Sequence, residues 1–209
     1  MIAGLAFGSA LVYSPRGQSP ISARSRRLRD ALKRGDPQVI SLVATHIAKL
    51  VQNGGFPGFF GGDVALVPVP GRAPRRGTDT LWVPERICQA LLAAGLGSEV
   101  WPTLQRVSAV PKSALAAPGE RPEVQVHVTS LEVVDRLPPP ARVLLVDDFI
   151  TKGRTLLAAA SVLANVFPGV DARRFAVVRT MGLVPDIERI ASPVVGEIRF
   201  ERGDAARNP

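Results

Sequence analysis

Four successive apolar residues, Val143 to Val146, are followed at once by two carboxylates, Asp147 and Asp148, and then by a turn containing Thr151, Gly153 and Thr155. A strand that is apolar at every position has no wet face, so it must be covered on both sides. Val64 to Val69 and Phe175 to Val178 read the same way. Helical spacing recurs between these runs: Val83, Ile87, Ala90, Leu91 and Ala94 share one face, and Leu156, Leu157, Ala160, Leu163, Ala164 and Phe167 another. Buried strands alternating with amphipathic helices predict an α/β fold with a mostly parallel central sheet flanked by helices.

The 209 residues, 46% of them hydrophobic, suit one core domain with a small appendage. Residues 1–60 read as an N-terminal strand and helices, 61–202 as the core, and 203–209 as a loose tail. The opening MIAGLAFGSALV lacks a basic leader and is expected to be a first core strand. Residues 21 to 34 predict a basic helix closed by Gly35, and Asp36-Pro37 supplies the cap and first-turn proline of a second helix. Its apolar face is Val39, Ile40, Val43, Ile47, Leu50 and Val51. Residues 107 to 123 show neither period and form a long connection of the kind that carries function. Val124, Val126 and Val128 alternate with Gln125 and His127 and predict a half-buried strand, with His127 projecting opposite the valines and half-exposed.

The single cysteine, Cys88, falls inside a helical pattern, which excludes an intramolecular disulfide and a cysteine-based zinc cluster and predicts a cytoplasmic location. No apolar run is long enough for a membrane-spanning helix. A formal charge of +8, from 26 basic and 18 acidic residues, favours anionic partners: a phosphorylated small molecule or, with weaker support, nucleic acid. Arg24, Arg26, Arg27, Arg29, Lys33 and Arg34 crowd the first helix, and Arg72, Arg75 and Arg76 follow the Val64–Val69 run.

In an open parallel sheet, ligands bind beyond the carboxyl ends of the strands, which is where the residues after Val146 lie. The turn Thr151-Lys152-Gly153-Arg154-Thr155 enters a helix, so its N–H groups and the helix dipole can receive a phosphate. Asp147 and Asp148 would repel that phosphate unless the ligand also brings sugar hydroxyls or a divalent cation. A nucleotide P-loop, which needs Gly-x-x-x-x-Gly-Lys-Ser/Thr, is absent. A plain turn with a helix cap is the bland alternative.

The run from Val143 to Thr155 resembles the thirteen-residue phosphoribosyl pyrophosphate (PRPP) motif of type I phosphoribosyltransferases: four apolar residues, two acidic, two apolar, then Thr-x-Gly-x-Thr. Tyr13, the basic helix ending in Lys33 and Gly35, VPVPGRAPRRG at 67–77 and the Leu-x-Arg context of Arg106 are similar to the competence-type (ComF-like) branch. In that branch small residues normally stand where this chain has Lys152 and Arg154. The resemblance implies the type I phosphoribosyltransferase fold with a small hood and a magnesium-dependent enzyme that transfers the phosphoribosyl group to an acceptor, expected to be nitrogen. The alternative is a PRPP-binding regulatory or DNA-associated protein without turnover.

By the same resemblance, Asp147 and Asp148 hold the ribose 2- and 3-hydroxyls and, through PRPP and water, Mg²⁺. Residues Thr151, Lys152, Gly153, Arg154 and Thr155 hold the 5-phosphate, and the loop Gly71 to Gly77 holds pyrophosphate. Residues 107 to 123 become the loop that closes over the site. Arg72 and Lys112 are the implied partners of the departing pyrophosphate, with Arg106 and Arg121 second. Thr151, where purine enzymes commonly carry an aspartate, argues against purine salvage. The expected partners are PRPP and pyrophosphate, with nucleic acid or a second copy of the chain as further candidates.

Overall fold

In the computed structural model the described residues are 4–75, 77, 81–111, 124–134, 138–182, 186–201 and 204–208. Seven strands form one sheet: β1 (Gly4–Tyr13), β2 (Val64–Pro68), β3 (Glu99–Val100), β6 (Arg142–Ile150), β7 (Asp171–Thr180), β8 (Ala191–Glu201) and β9 (Asp204–Asn208). Two short strands, β4 (Leu104–Arg106) and β5 (Leu131–Val133), pair with each other apart from it. The order across the sheet is β3-β2-β6-β7-β1-β8-β9. Its first five strands are parallel, and at one edge β8 pairs antiparallel with both β1 and β9. The chain is therefore α/β with a mostly parallel central sheet flanked by helices, as its apolar runs predict.

Both faces of the central strands are buried. Leu66, Leu144, Val146, Phe175 and Val177 point into the core shared with helices α1 (Pro20–Lys33), α2 (Pro37–Gln52) and α3 (Val83–Ala93). Val67, Val143, Leu145 and Ala176 point the other way, toward α5 (Arg154–Val166) and the one-turn-and-a-half helix α4 (Val124–Thr129). The predicted cap of α2 forms, with the Asp36 carboxylate accepting from the N–H groups of Gln38 and Val39. Cys88 is buried in the α3 core. Among the described residues no helix is long and apolar enough to cross a membrane.

Two sequence expectations need correction. Residues 124–129 are a helix, with Val124 and His127 buried. The spacing i, i+3 fits a helical face as well as the alternating valines fit a strand, and packing against α5 decides between them. His127 is accordingly only 7% exposed instead of half-exposed. The expected loose tail is ordered from residue 204: β9 pairs with β8 from Asp204↔Glu201 to Asn208↔Glu197, and Ala205 is buried. Its small side chains let the edge strand lie close, a signal that polarity alone conceals.

Strands β2 and β6 are hydrogen-bonded neighbours, aligned from Val64↔Arg142 to Pro68↔Val146. The chain leaving β2 goes through α3 on one face of the sheet, and the chain leaving β6 goes through α5 on the other. Two loops that diverge from adjacent carboxyl ends open a crevice between them, the switch point at which ligands enter sheets of this kind.

Candidate functional site

Asp147 and Asp148 sit in that crevice, at the point where β6 outlasts β2. Two clefts meet there, both lined by Asp147. One, of about 820 Å³, is lined by Pro70, Gly71, Pro74 and Arg75 of the loop after β2, together with Trp82, Arg106, Lys33 and Asp148. The other, of about 480 Å³, is lined by Phe149 to Leu156, His127 and Pro15. The acidic pair thus stands between two recesses, each fed by one of the diverging loops.

The pair is held asymmetrically. The Asp148 carboxylate, 7% exposed, receives Lys33 Nζ at 2.6 Å. Lys33 also lies 4.7 Å from the centre of the Phe149 ring, which in turn packs edge-on against Tyr13. The Asp147 carboxylate accepts from the Asp148 N–H at 2.8 Å. Burial, and next the charge of Asp148, push the Asp147 carboxyl well above the usual carboxylate range, and Lys33 only partly opposes them. Two carboxylates with one cation between them favour a ligand that brings hydroxyl donors or a divalent cation, so the donor set fits magnesium on a polyol phosphate.

The basic helix α1 does more than face solvent. Arg26 donates to the Gly17 carbonyl at 2.6 Å, Arg29 to the Tyr13 hydroxyl at 3.1 Å, and Lys33, a turn further, reaches Asp148. Spacing of three and four residues puts these cations on one stripe above the carboxyl ends of β1 and β6. Lys33 was legible in the sequence only as the end of a charge run; its partner lies 115 residues away.

The loop after β6 is fastened from outside. Gly153 has φ +91°, and a Cβ there would come within 2.9 Å of three side-chain atoms of Ile198. Glycine is therefore required twice over, by the left-handed backbone and by the β8 side chain packed on it. Thr151 and Thr180 hydroxyls lie 3.2 Å apart. Lys152 and Arg154 do not point freely at a ligand: both pair with Asp204 of β9, Lys152 at 2.8 Å and Arg154 through two N–H groups. Arg154, and after it Lys152, hold the Asp204 carboxyl well below its ordinary value, against the effect of burial. Thr155 lines the cleft at the start of α5, whose first N–H groups face it. Asp204 carried no signal in the sequence, because nothing local marks an acidic residue in a polar tail.

Arg106 is buried and binds protein, not open space. Its Nε donates to the Gly71 carbonyl at 2.8 Å, one terminal nitrogen to the Ser130 hydroxyl at 2.5 Å and the His127 carbonyl at 3.3 Å, and the other to the Pro70 carbonyl at 3.5 Å. Burial lowers its pKa to about 10, with Asp147 acting in the other direction. Arg106 therefore shapes the loop at Gly71 and ties it to α4 and β5. The Arg72 side chain is not part of the cleft lining, although the Arg72 carbonyl accepts from the Val110 N–H at 2.7 Å. Arg75 does line it, 4.8 Å above the Trp82 ring and 3.6 Å from Glu85. Lys112 and Arg121 lie outside the described residues.

His127 lines the smaller cleft from the α4 side. Its pKa is lowered to about 4 by burial and, secondarily, by Arg106 and Arg154, so the ring is neutral at physiological pH. Among the described residues there is no group of three or more His, Cys, Asp or Glu side chains placed to hold a metal by themselves. No protein-family model matches the chain, and no curated protein matches it.

Proposed function

We propose that the chain binds PRPP with magnesium across this crevice and acts as a type I phosphoribosyltransferase of the competence-type branch, with the corresponding fold. One observation carries the reading: an acidic pair at the switch point, with a helix N-terminus and its threonine-glycine turn in the recess on one side and a Gly-Pro-Arg loop in the recess on the other. A ribose carrying a 5-phosphate and a 1-pyrophosphate is anionic at both ends and rich in hydroxyls in the middle, and the crevice has that same order of groups.

In this reading the α5 N-terminus and the hydroxyls of Thr151 and Thr155 receive the 5-phosphate. Asp147 and Asp148 accept from the ribose hydroxyls and orient carbon 1 toward the larger cleft. Lys33 offsets the charge of Asp148, so ionisation of Asp147 would put a net negative charge on the pair, which suits an oxocarbenium-like transition state. Arg75 and the loop that Arg106 supports line the recess where pyrophosphate departs. Magnesium, which Asp147 and Asp148 would hold through PRPP and water, would supply positive charge to the departing pyrophosphate. An acceptor, expected to be nitrogen, attacks carbon 1 as the bond to pyrophosphate breaks, and the electron pair of that bond leaves with the pyrophosphate.

Calorimetry with PRPP and Mg²⁺ tests binding, and pyrophosphate release in the presence of a panel of nitrogen acceptors tests turnover. The expected result is saturable uptake and acceptor-dependent release, both lost in the Asp147→Asn, Asp148→Asn double variant. Uptake without release from any acceptor would favour a PRPP-binding regulator, and no uptake at millimolar concentration would overturn the reading.

A further inference from the structure

Of the two buried side chains of α4, Val124 joins the hydrophobic core and His127 lines the cleft of the 151–155 loop. The imidazole is an expensive choice for that place. Its Nδ1 is sealed from solvent without a hydrogen-bond partner, and neither ring nitrogen bonds to a described residue. An apolar side chain of similar size would fill the space without sealing a polar nitrogen from water. The His127 backbone is well anchored, since its carbonyl accepts from Arg106 and from the Ser130 hydroxyl. The ring is thus held firmly in place while its polar atoms are left unused.

The charges around the ring identify what would use them. Arg106 from β4 and Arg154 from α5 both act on His127 as positive neighbours, Asp147 from β6 lines the same cleft, and Asp204 from β9 already neutralises part of Arg154. The N-terminal N–H groups of α5 add a positive dipole end. A ligand atom here meets donors from α5, from Thr151 and Thr155, and from an imidazole on the opposite wall. The complement is a compact anion with several acceptor oxygens, a phosphate monoester.

We propose that His127 is a direct ligand of the phosphate group held by the 151–155 loop, closing the cleft from the α4 side and setting its preference for a phosphorylated over an unphosphorylated sugar. This rests on the phosphoribosyl reading above. The neutral imidazole donates through Nε2–H, the ring nitrogen that is not sealed, and the contact joins α4, and through the His127 carbonyl Arg106, to the occupant of the loop.

The chain has two histidines, His46 and His127, so ring signals are assignable from one substitution, and His46 on α2 serves as an internal reference. Ribose 5-phosphate is the probe, with calorimetry and ¹H–¹⁵N spectra of the imidazoles. Saturation is expected to shift the His127 nitrogens and leave those of His46 in place. His127→Phe, which keeps the bulk, is expected to weaken ribose 5-phosphate by about ten- to a hundredfold, leave pyrophosphate affinity within about twofold, and melt no lower than wild type. If wild-type protein binds ribose 5-phosphate while the His127 signals stay still, or the folded Phe variant binds it equally well, the inference falls and the phosphoribosyl reading stands. If wild type binds neither ribose 5-phosphate nor PRPP, both fall. The spectra use wild-type protein, so they decide even where the variant fails to fold.

Discussion

The loops after β2 and β6 leave the sheet side by side, yet they are secured on different plans. The 151–155 loop is fastened by parts remote from it in sequence: Ile198 packs on Gly153, Thr180 meets Thr151, and Asp204 takes both Lys152 and Arg154. The 70–77 loop is exposed over most of its described residues and is held by the Arg106 guanidinium on the carbonyls of Pro70 and Gly71, by the Val110 N–H on the Arg72 carbonyl, and by Arg75 against Trp82 and Glu85. A preorganised cradle suits a group that stays bound throughout a reaction. A more exposed loop suits a group that arrives with the substrate and departs alone.

The sharpest way to break this contrast is Arg106→Met. It removes one buried cation and strands four oxygens that now accept from it, so a loss of about 3–5 kcal/mol is expected in denaturant unfolding. Where folded protein can be recovered, pyrophosphate affinity should fall much more than ribose 5-phosphate affinity. Equal loss at both ends would erase the distinction.

Gly153→Ala attacks the other loop. The left-handed backbone and the overlap with Ile198 together cost about 2–3 kcal/mol, and pairing it with Ile198→Val should recover part of that. No recovery would mean that the backbone alone demands glycine.

Asp147→Asn acts in the opposite direction. Because the folded carboxyl titrates above its unfolded value, its unfavourable ionisation appears as pH rises above about 4 and grows until the folded group ionises. The variant should gain about 1–2 kcal/mol over wild type at neutral pH, with the two melting curves converging in acid. A variant no more stable at pH 7 than wild type would refute the raised ionisation.

The smallest effect belongs to Asp204→Asn. Its carboxyl titrates below the unfolded value, so the pair with Arg154 and Lys152 stabilises above about pH 4 and the contribution fades as pH falls further. Partial exposure limits it to about 1 kcal/mol, read as a neutral-pH loss in melting that shrinks in acid.

What the sequence revealed follows the same division. Local chemistry was legible: the apolar strands, the Asp36 cap, the acidic pair and the glycine turn each announce themselves within a few residues. Partners brought in by topology were not. Lys33 reads as one charge among six, Asp204 as tail polarity, and Arg106 as a ligand, because three of its four acceptors are backbone carbonyls that no side-chain pattern encodes. The stretch from Val124 to Val128 misled for another reason. Alternating β-branched residues favour a strand on propensity, but the surface of α5 rewards a helical spacing.

The contact between β9 and the loop after β6 has an evolutionary corollary. Lys152 and Arg154 share a single acidic counterpart roughly fifty positions downstream, so the three residues form a unit that cannot drift independently. In kindred chains, loss of the acid at 204 should travel with small residues at 152 and 154, and a lone change at any of the three should leave an unmatched charge beside the 151–155 turn.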